Sequence, residues 1–173
     1  TIPCILYNIK GRTGVNVETS TLNRLIASCP NLLSVKEASG NLDQMTDVIN
    51  TTPNDFRVLS GDDNLAVELI RRGGDGVISV ASNLFPKQMA TMIHAAMKGD
   101  FETAEKYEKY FGPFFKTCFI ETNPIPIKTA MAHYGLCNEL FRLPMCPLEK
   151  EEHRAELIKS TDAIFDAIKR GEI

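Results

Sequence analysis

No apolar run in this chain approaches the roughly eighteen residues that a membrane-spanning helix requires. Its first residues also lack the charged-then-apolar order of a secretory leader. Neither a membrane protein nor an exported precursor is expected, and the reading is a cytoplasmic protein. A basic excess is missing too, because 19 Lys and Arg stand against 22 Asp and Glu, for a net charge of -3. Without a cationic stripe to neutralise phosphates, nucleic acid is excluded as the main partner and small molecules are the expected ligands. The five cysteines, Cys4, Cys29, Cys118, Cys137 and Cys146, are scattered and contain no C-x-x-C pair, which fits reduced thiols and not a disulfide framework. His94, His133 and His153 are equally dispersed. Neither set has metal-ligand spacing, and neither a metal nor a cofactor is expected. An initiator Met is absent as well: the chain goes from Thr1-Ile2-Pro3 straight into a strand and reads as though cut from something longer.

What is present is the composition of an ordered domain, 43% hydrophobic and 24% charged over 173 residues, long enough for a real core. Four short β runs, Cys4 to Asn8, Leu33 to Glu37, Phe56 to Ser60 and Val77 to Val80, alternate with four amphipathic segments, which predicts a parallel α/β sheet. The first helix takes Ser20 as N-cap and buries Leu22, Leu25 and Ile26. The second runs from about Asn41 to Asn50. A third follows Asp62-Asp63, with Leu65, Ala66, Leu69 and Ile70 inward, and ends at Arg71-Arg72-Gly73. The fourth has Pro86 near its first turn and buries Leu84, Met89, Met92 and Ile93. After Gly99 only helices continue: Asp100 to Cys118, Pro126 to His133 and Glu149 to Arg170. The expected division is residues 1-98 as the C-terminal half of a (β/α)8 barrel and 99-173 as a helical C-terminal region. Half a barrel leaves two open sheet edges and an uncovered interior face, so a further segment or chain is expected to complete it. An open doubly wound sheet escapes that requirement.

The most informative residue is Lys36, a lone cation near the end of the apolar run Leu32-Leu33-Ser34-Val35-Lys36-Glu37. Strand alternation puts Leu32, Ser34 and Lys36 on one side. An amine held in an apolar interior loses its proton more readily and becomes a nucleophile toward carbonyls; a strand-end lysine that keeps its charge in water is the plain alternative. Tyr7 shares a face with Ile5 at the end of the first strand, where a phenol either moves protons or is simply a satisfied core hydroxyl. Arg12 lies in Lys10-Gly11-Arg12-Thr13-Gly14, where flanking glycines permit a tight turn and the guanidinium fork suits a carboxylate. In Ser60-Gly61-Asp62-Asp63, a helix cap explains the acids, Asp63 above all, while Gly61 lets backbone approach a ligand.

Together, Tyr7-Asn8 with Gly11-Arg12-Thr13-Gly14, Lys36-Glu37-Ala38-Ser39-Gly40, Ser60-Gly61-Asp62-Asp63, Gly76-Val77-Ile78-Ser79 and Asn123-Pro124-Ile125-Pro126-Ile127-Lys128 resemble the C-terminal portion of the dihydrodipicolinate synthase family. The resemblance covers essentially the whole chain. It implies a class I aldolase-type lyase of lysine and diaminopimelate biosynthesis, in which Lys36 forms a Schiff base with pyruvate and the derived enamine adds to aspartate semialdehyde. Tyr7 would carry protons and Arg12 would anchor the semialdehyde carboxylate. The backbone around Gly61 and Ile78 would line the pocket, and the Asn123 loop would help hold Arg12. A homotetramer built as a dimer of dimers is implied, and the aromatic group Tyr107, Tyr110, Phe111, Phe114 and Phe115 serves equally as an interface or as a helical core.

Two departures stand out. Lys10 replaces the proline usual in the family, which loosens the start of the Arg12 loop. The family's N-terminal strands, with two threonines of the proton relay and a tyrosine donated across a subunit interface, have no counterpart, so the chain alone is expected to be inactive or nearly so. The alternatives are a related lyase acting on N-acetylneuraminate or a keto-deoxy-sugar acid, and a non-catalytic half-barrel binding module.

Overall fold

A computed structural model describes residues 2–173; Thr1, where the sequence reading begins its first domain, lies outside the described residues. The chain divides into two compact units. One runs up to Ser79 and includes Ile93–Phe101; the other comprises Val80–Met92 and Glu102–Ile173.

In the first unit, strands β1 (Cys4–Asn8), β2 (Leu32–Glu37), β3 (Arg57–Ser60) and β4 (Gly76–Val77) form one parallel sheet in the order β1-β2-β3-β4. A doubly wound sheet reverses direction at a switch point and carries helices on both faces, whereas a (β/α)8 barrel adds strands in one direction with its helices outside. Here no reversal occurs. Helices α2 (Thr19–Ser28) and α3 (Leu42–Thr51) cover a single face, where Leu22, Val35, Val48, Phe56 and Val58 form a buried core with Leu6, Val17, Ile26, Leu32 and Ile49 packed against it. Burying each large aliphatic chain of this kind contributes about 1.5–3 kcal/mol. The opposite face stays open: Ile5, Tyr7 and Leu33 are 53%, 45% and 49% exposed. Leu32, expected on the Lys36 side, packs into the covered core instead, because the pairing of β1 with β2 shifts register between Cys4 and Ile5 and breaks the alternation there. Four βα units of a barrel, with the interior face bare, are the arrangement that results.

Local chemistry explains most element ends. Asn41 caps α3 by accepting the Asp43 and Gln44 N–H groups at 3.0 and 3.1 Å. The four-residue helix α1 (Lys10–Thr13) stands where the glycines predict a tight turn. Only Gly14, at φ 73°, there takes the left-handed backbone that favours glycine. Helix α2 starts one position before Ser20, because the extended Glu18 offers its carbonyl to Thr21 and Leu22 and so occupies the cap position. Strand β4 is shorter than the apolar run predicts: a 3-10 turn at Ala81–Asn83 follows it closely. A second 3-10 turn, Asp63–Leu65, leads into α4 (Ala66–Arg71), whose end is closed by Gly73 at φ 103°. Leu84 is buried but precedes helix α5 (Pro86–Met97).

The second unit is helical, with α6 (Phe101–Thr117), α7 (Ile125–His133) and α8 (Glu151–Lys169). Phe85 stands edge-on to Phe111 and Phe114 at 5.4 and 5.3 Å and lies 4.9 Å from Phe165. Phe111, Phe114 and Phe115 are buried, so these rings form a helical core and are not available as an exposed interface.

Candidate active site

The carboxyl ends of β1 to β4 gather the first-unit residues singled out in the sequence. Tyr7 and Lys36 are register partners on neighbouring strands, and the Lys36 Nζ lies 4.0 Å from the centre of the Tyr7 ring. A cation over a ring face at that distance is held by the ring quadrupole. Lys36 is half-buried, not sealed in a dry interior, and Ile5 and Tyr7 beside it on that face are exposed. Below it, toward the amino ends of the strands, the same face opens into an apolar groove of about 620 Å³ lined by Pro3, Ile5, Leu33 and Leu59.

Gly61 sets the spacing between β2 and the loop after β3. Its N–H donates to the Glu37 carbonyl at 2.7 Å, and a Cβ placed there would fall 2.5 Å from Ala38 Cβ and 3.2 Å from Lys36 Cε. Ile78, 38% exposed, donates its N–H to the Ser60 carbonyl at 2.9 Å, which fixes the backbone just past β4. Arg12 is exposed on α1. Asn123 precedes α7 and belongs to the second unit, so the strand-end grouping is a property of the first unit without it.

The acidic pair after Gly61 departs from a simple cap. Asp62 takes the position before the 3-10 turn with no side-chain cap bond, and Asp63 is the buried first residue of that turn. Burial raises the Asp62 pKa above its ordinary value, the Asp63 and Glu37 carboxylates raise it further, and the Lys36 ammonium opposes them.

On the far side of the sheet lies a polar network that sequence reasoning missed. Asn8 and Glu37 are each 1% exposed. The Glu37 carboxylate accepts from the Asn8 amide at 2.9 and 3.2 Å, from the Ser39 N–H at 2.7 Å and from the Gln44 amide at 3.3 Å. A signal existed: alternation puts Asn8 and Glu37 on the helix-covered face, where polar residues at two adjacent strand ends need each other.

Residues 1–163 match the model of the Dihydrodipicolinate synthetase family. The chain belongs to that family. The 4-hydroxy-tetrahydrodipicolinate synthase of Koribacter versatilis is 47% identical over 157 residues, covering 91% of this chain and 52% of the relative. That of Aquifex aeolicus is 41% identical over 160 residues, 91% of this chain and 54% of the relative. Among solved structures, dihydrodipicolinate synthase from Aquifex aeolicus superposes with a TM-score of 0.91 at 38% identity, over 95% of this chain and 56% of its own. The 4-hydroxy-tetrahydrodipicolinate synthase from Methylacidiphilum fumariolicum SolV gives 0.94 at 35% identity, over 98% and 56%. This dihydrodipicolinate synthetase family member therefore spans about half the length of the relatives it matches.

Proposed function

We propose that this chain carries the Schiff-base half of a lyase that condenses pyruvate with L-aspartate 4-semialdehyde to 4-hydroxy-tetrahydrodipicolinate, in lysine and diaminopimelate biosynthesis. The observation that carries the reading is the placement of Lys36 Nζ over the Tyr7 ring at the carboxyl ends of adjacent strands. Barrel enzymes place their chemistry at that end. In its neutral form the Lys36 amine attacks the pyruvate ketone; the carbinolamine loses water to an iminium, and loss of a methyl proton gives an enamine. The enamine carbon bonds to the semialdehyde carbonyl carbon. The amino group of the adduct then attacks the iminium carbon and expels Lys36, closing the ring. Tyr7 moves protons in these steps, Arg12 pairs with the semialdehyde carboxylate, and the Gly61 and Ile78 backbone lines the pocket with Asn123 in support.

The names of the relatives support aspartate semialdehyde over an acidic sugar as the aldehyde partner. The open interior face supports completion by the other half of a barrel, with residues 1-98 as the barrel half and 99-173 as its helical extension. The working enzyme is then a cytoplasmic homotetramer, a dimer of dimers. Among the described residues no helix is long and apolar enough to cross a membrane. Borohydride reduction of the complete enzyme with pyruvate, followed by peptide mass spectrometry, is the test. A reduced adduct on Lys36 is expected, and an unmodified Lys36 or an adduct elsewhere refutes the assignment.

A further inference from the structure

Residues 9–15 leave β1, form α1 with Arg12 exposed on it, and come back beside the end of β1 at Asn16 and Val17, just ahead of α2. What holds the two ends of this excursion together is Asn8, and what orients Asn8 is Glu37. A carboxylate only accepts hydrogen bonds. Glu37 therefore draws the Asn8 NH2 toward itself, at 2.9 and 3.2 Å, and leaves the Asn8 carbonyl facing the other way, where it accepts the Val17 N–H at 3.0 Å. The Asn8 NH2 also reaches Asn16 Oδ1 at 3.1 Å, and Gln44, itself bonded to Glu37, donates to the Val17 carbonyl at 3.2 Å. Within the excursion the Gly14 N–H donates to the Lys10 carbonyl at 2.9 Å and the Thr13 hydroxyl lies 3.0 Å from the Ile9 carbonyl. Arg12 thus rides on a closed turn whose base is set from a buried anion.

We propose that Glu37 is a positioning residue for Arg12: through Asn8 it clamps the turn so that the guanidinium meets the carboxylate of the aldehyde substrate. The proposal rests on the reading of Arg12 as that anchor. Glu37 sits on the same strand as Lys36 but faces the opposite side, so its effect should separate from Schiff-base formation. Its partners among the described residues are neutral amides, which makes it poorly suited to be kept for stability alone.

In Glu37→Gln the new NH2 meets the donors of Asn8 and Gln44. Asn8 either keeps only its longer bond, at 3.2 Å to the remaining oxygen, or turns over and sets its NH2 against the Val17 N–H, and both loosen the clamp. In the complete enzyme, KM for aspartate semialdehyde is expected to rise about tenfold, as for one lost orienting hydrogen bond. KM for pyruvate and the rate of borohydride trapping on Lys36 should stay within about twofold of the parent. The pair Glu37→Gln with Asn8→Asp reverses the polarity. A carboxylate at position 8 accepts both from the amide introduced at position 37 and from the Val17 N–H, so the pair should recover most of the loss. Should Glu37→Gln fail to fold, Asn8→Ser, which leaves Glu37 its Ser39 and Gln44 donors, is read by the same KM split. A folded variant with the aldehyde KM unchanged, or with both KM values raised alike, overturns the proposal. Absence of a Lys36 adduct in the unaltered enzyme is a different result: it defeats the functional reading, and this role falls with it.

Discussion

Lys36 holds its ammonium over the face of Tyr7, 4.0 Å from the ring centre, and the two residues are paired in register across β1 and β2. The contact uses the ring, while the proposed chemistry uses the hydroxyl, and one substitution separates them. Tyr7→Phe keeps the aromatic face and removes only the proton-bearing oxygen. Borohydride trapping of pyruvate on Lys36 should persist, while turnover falls by about 10²–10⁴-fold, the usual range for loss of a general acid–base group. Unchanged turnover in Tyr7→Phe, with the ring contact to Lys36 kept, would make Tyr7 a packing partner alone.

Gly61 tests how tightly that amine is held. A methyl group there would sit 2.5 Å from Ala38 Cβ and 3.2 Å from the Glu37 carbonyl oxygen, a backbone contact with little room to give. Gly61→Ala should lower stability by about 1–3 kcal/mol, the range for overpacking. Because Lys36 Cε is also 3.2 Å away, adduct formation should slow with it. Thermal melting and trapping kinetics check the two effects separately; an unshifted melting temperature would show that β3 and β2 can part without cost.

Lys10 occupies the first position of α1, after Ile9 at φ -142° and ψ 80°, and its carbonyl accepts the Gly14 N–H. A proline at a first helical position sacrifices no intrahelical N–H bond. Lys10→Pro should therefore stabilise the protein by about 0.4–1 kcal/mol through the unfolded chain. A lower melting temperature would mean that the backbone at residue 10 cannot adopt the proline geometry.

Much of this arrangement is legible in the sequence alone. Period-two alternation at Ile5 and Tyr7, and at Ser34 and Lys36, places the phenol and the amine on one face, and strand-helix alternation implies the barrel half. The α1 helix is not legible, since Gly11-Arg12-Thr13-Gly14 reads as a turn and the bonds that close it run to Ile9 and Lys10. Nor is the partnership of Asn8, Asn16, Glu37 and Gln44: these residues are far apart in sequence, and periodicity marks a face without naming who meets on it. The aromatic group of α6 shows the same limit. Helical spacing puts Phe111, Phe114 and Phe115 together whether a partner or Phe85 and Phe165 cover them, and only the packing decides.

That packing carries its own prediction. Phe114 is fully buried and meets Phe85 edge-on at 5.3 Å and Phe111 at 6.4 Å. Phe114→Ala should cost about 3–5 kcal/mol, the loss of transfer free energy and the cavity together. Chemical denaturation measures it. A cost under about 1 kcal/mol, typical of surface substitutions, would return these rings to an interface role.

Asp62 gives the pH dependence of the site a definite sign. Its folded pKa is raised above the ordinary 3.8, first by burial, then by the Asp63 carboxylate and more weakly by Glu37, against the pull of Lys36. Between 3.8 and that raised value the folded protein binds more protons at Asp62 than the unfolded chain does. Stability must then fall as pH rises through the window, and the penalty persists at neutral pH. Below 3.8 both states are protonated and the contribution vanishes. Asp62→Asn removes the ionisation, and the side chain makes no cap bond that would be lost. The variant should unfold at higher denaturant than the parent at pH 7, with the gap closing as pH drops through the window. A gap that does not change with pH would mean that burial leaves no net shift at Asp62, and one that favours the parent at pH 7 and closes as pH drops would mean that the Lys36 attraction outweighs burial and that the two side chains act as an ion pair.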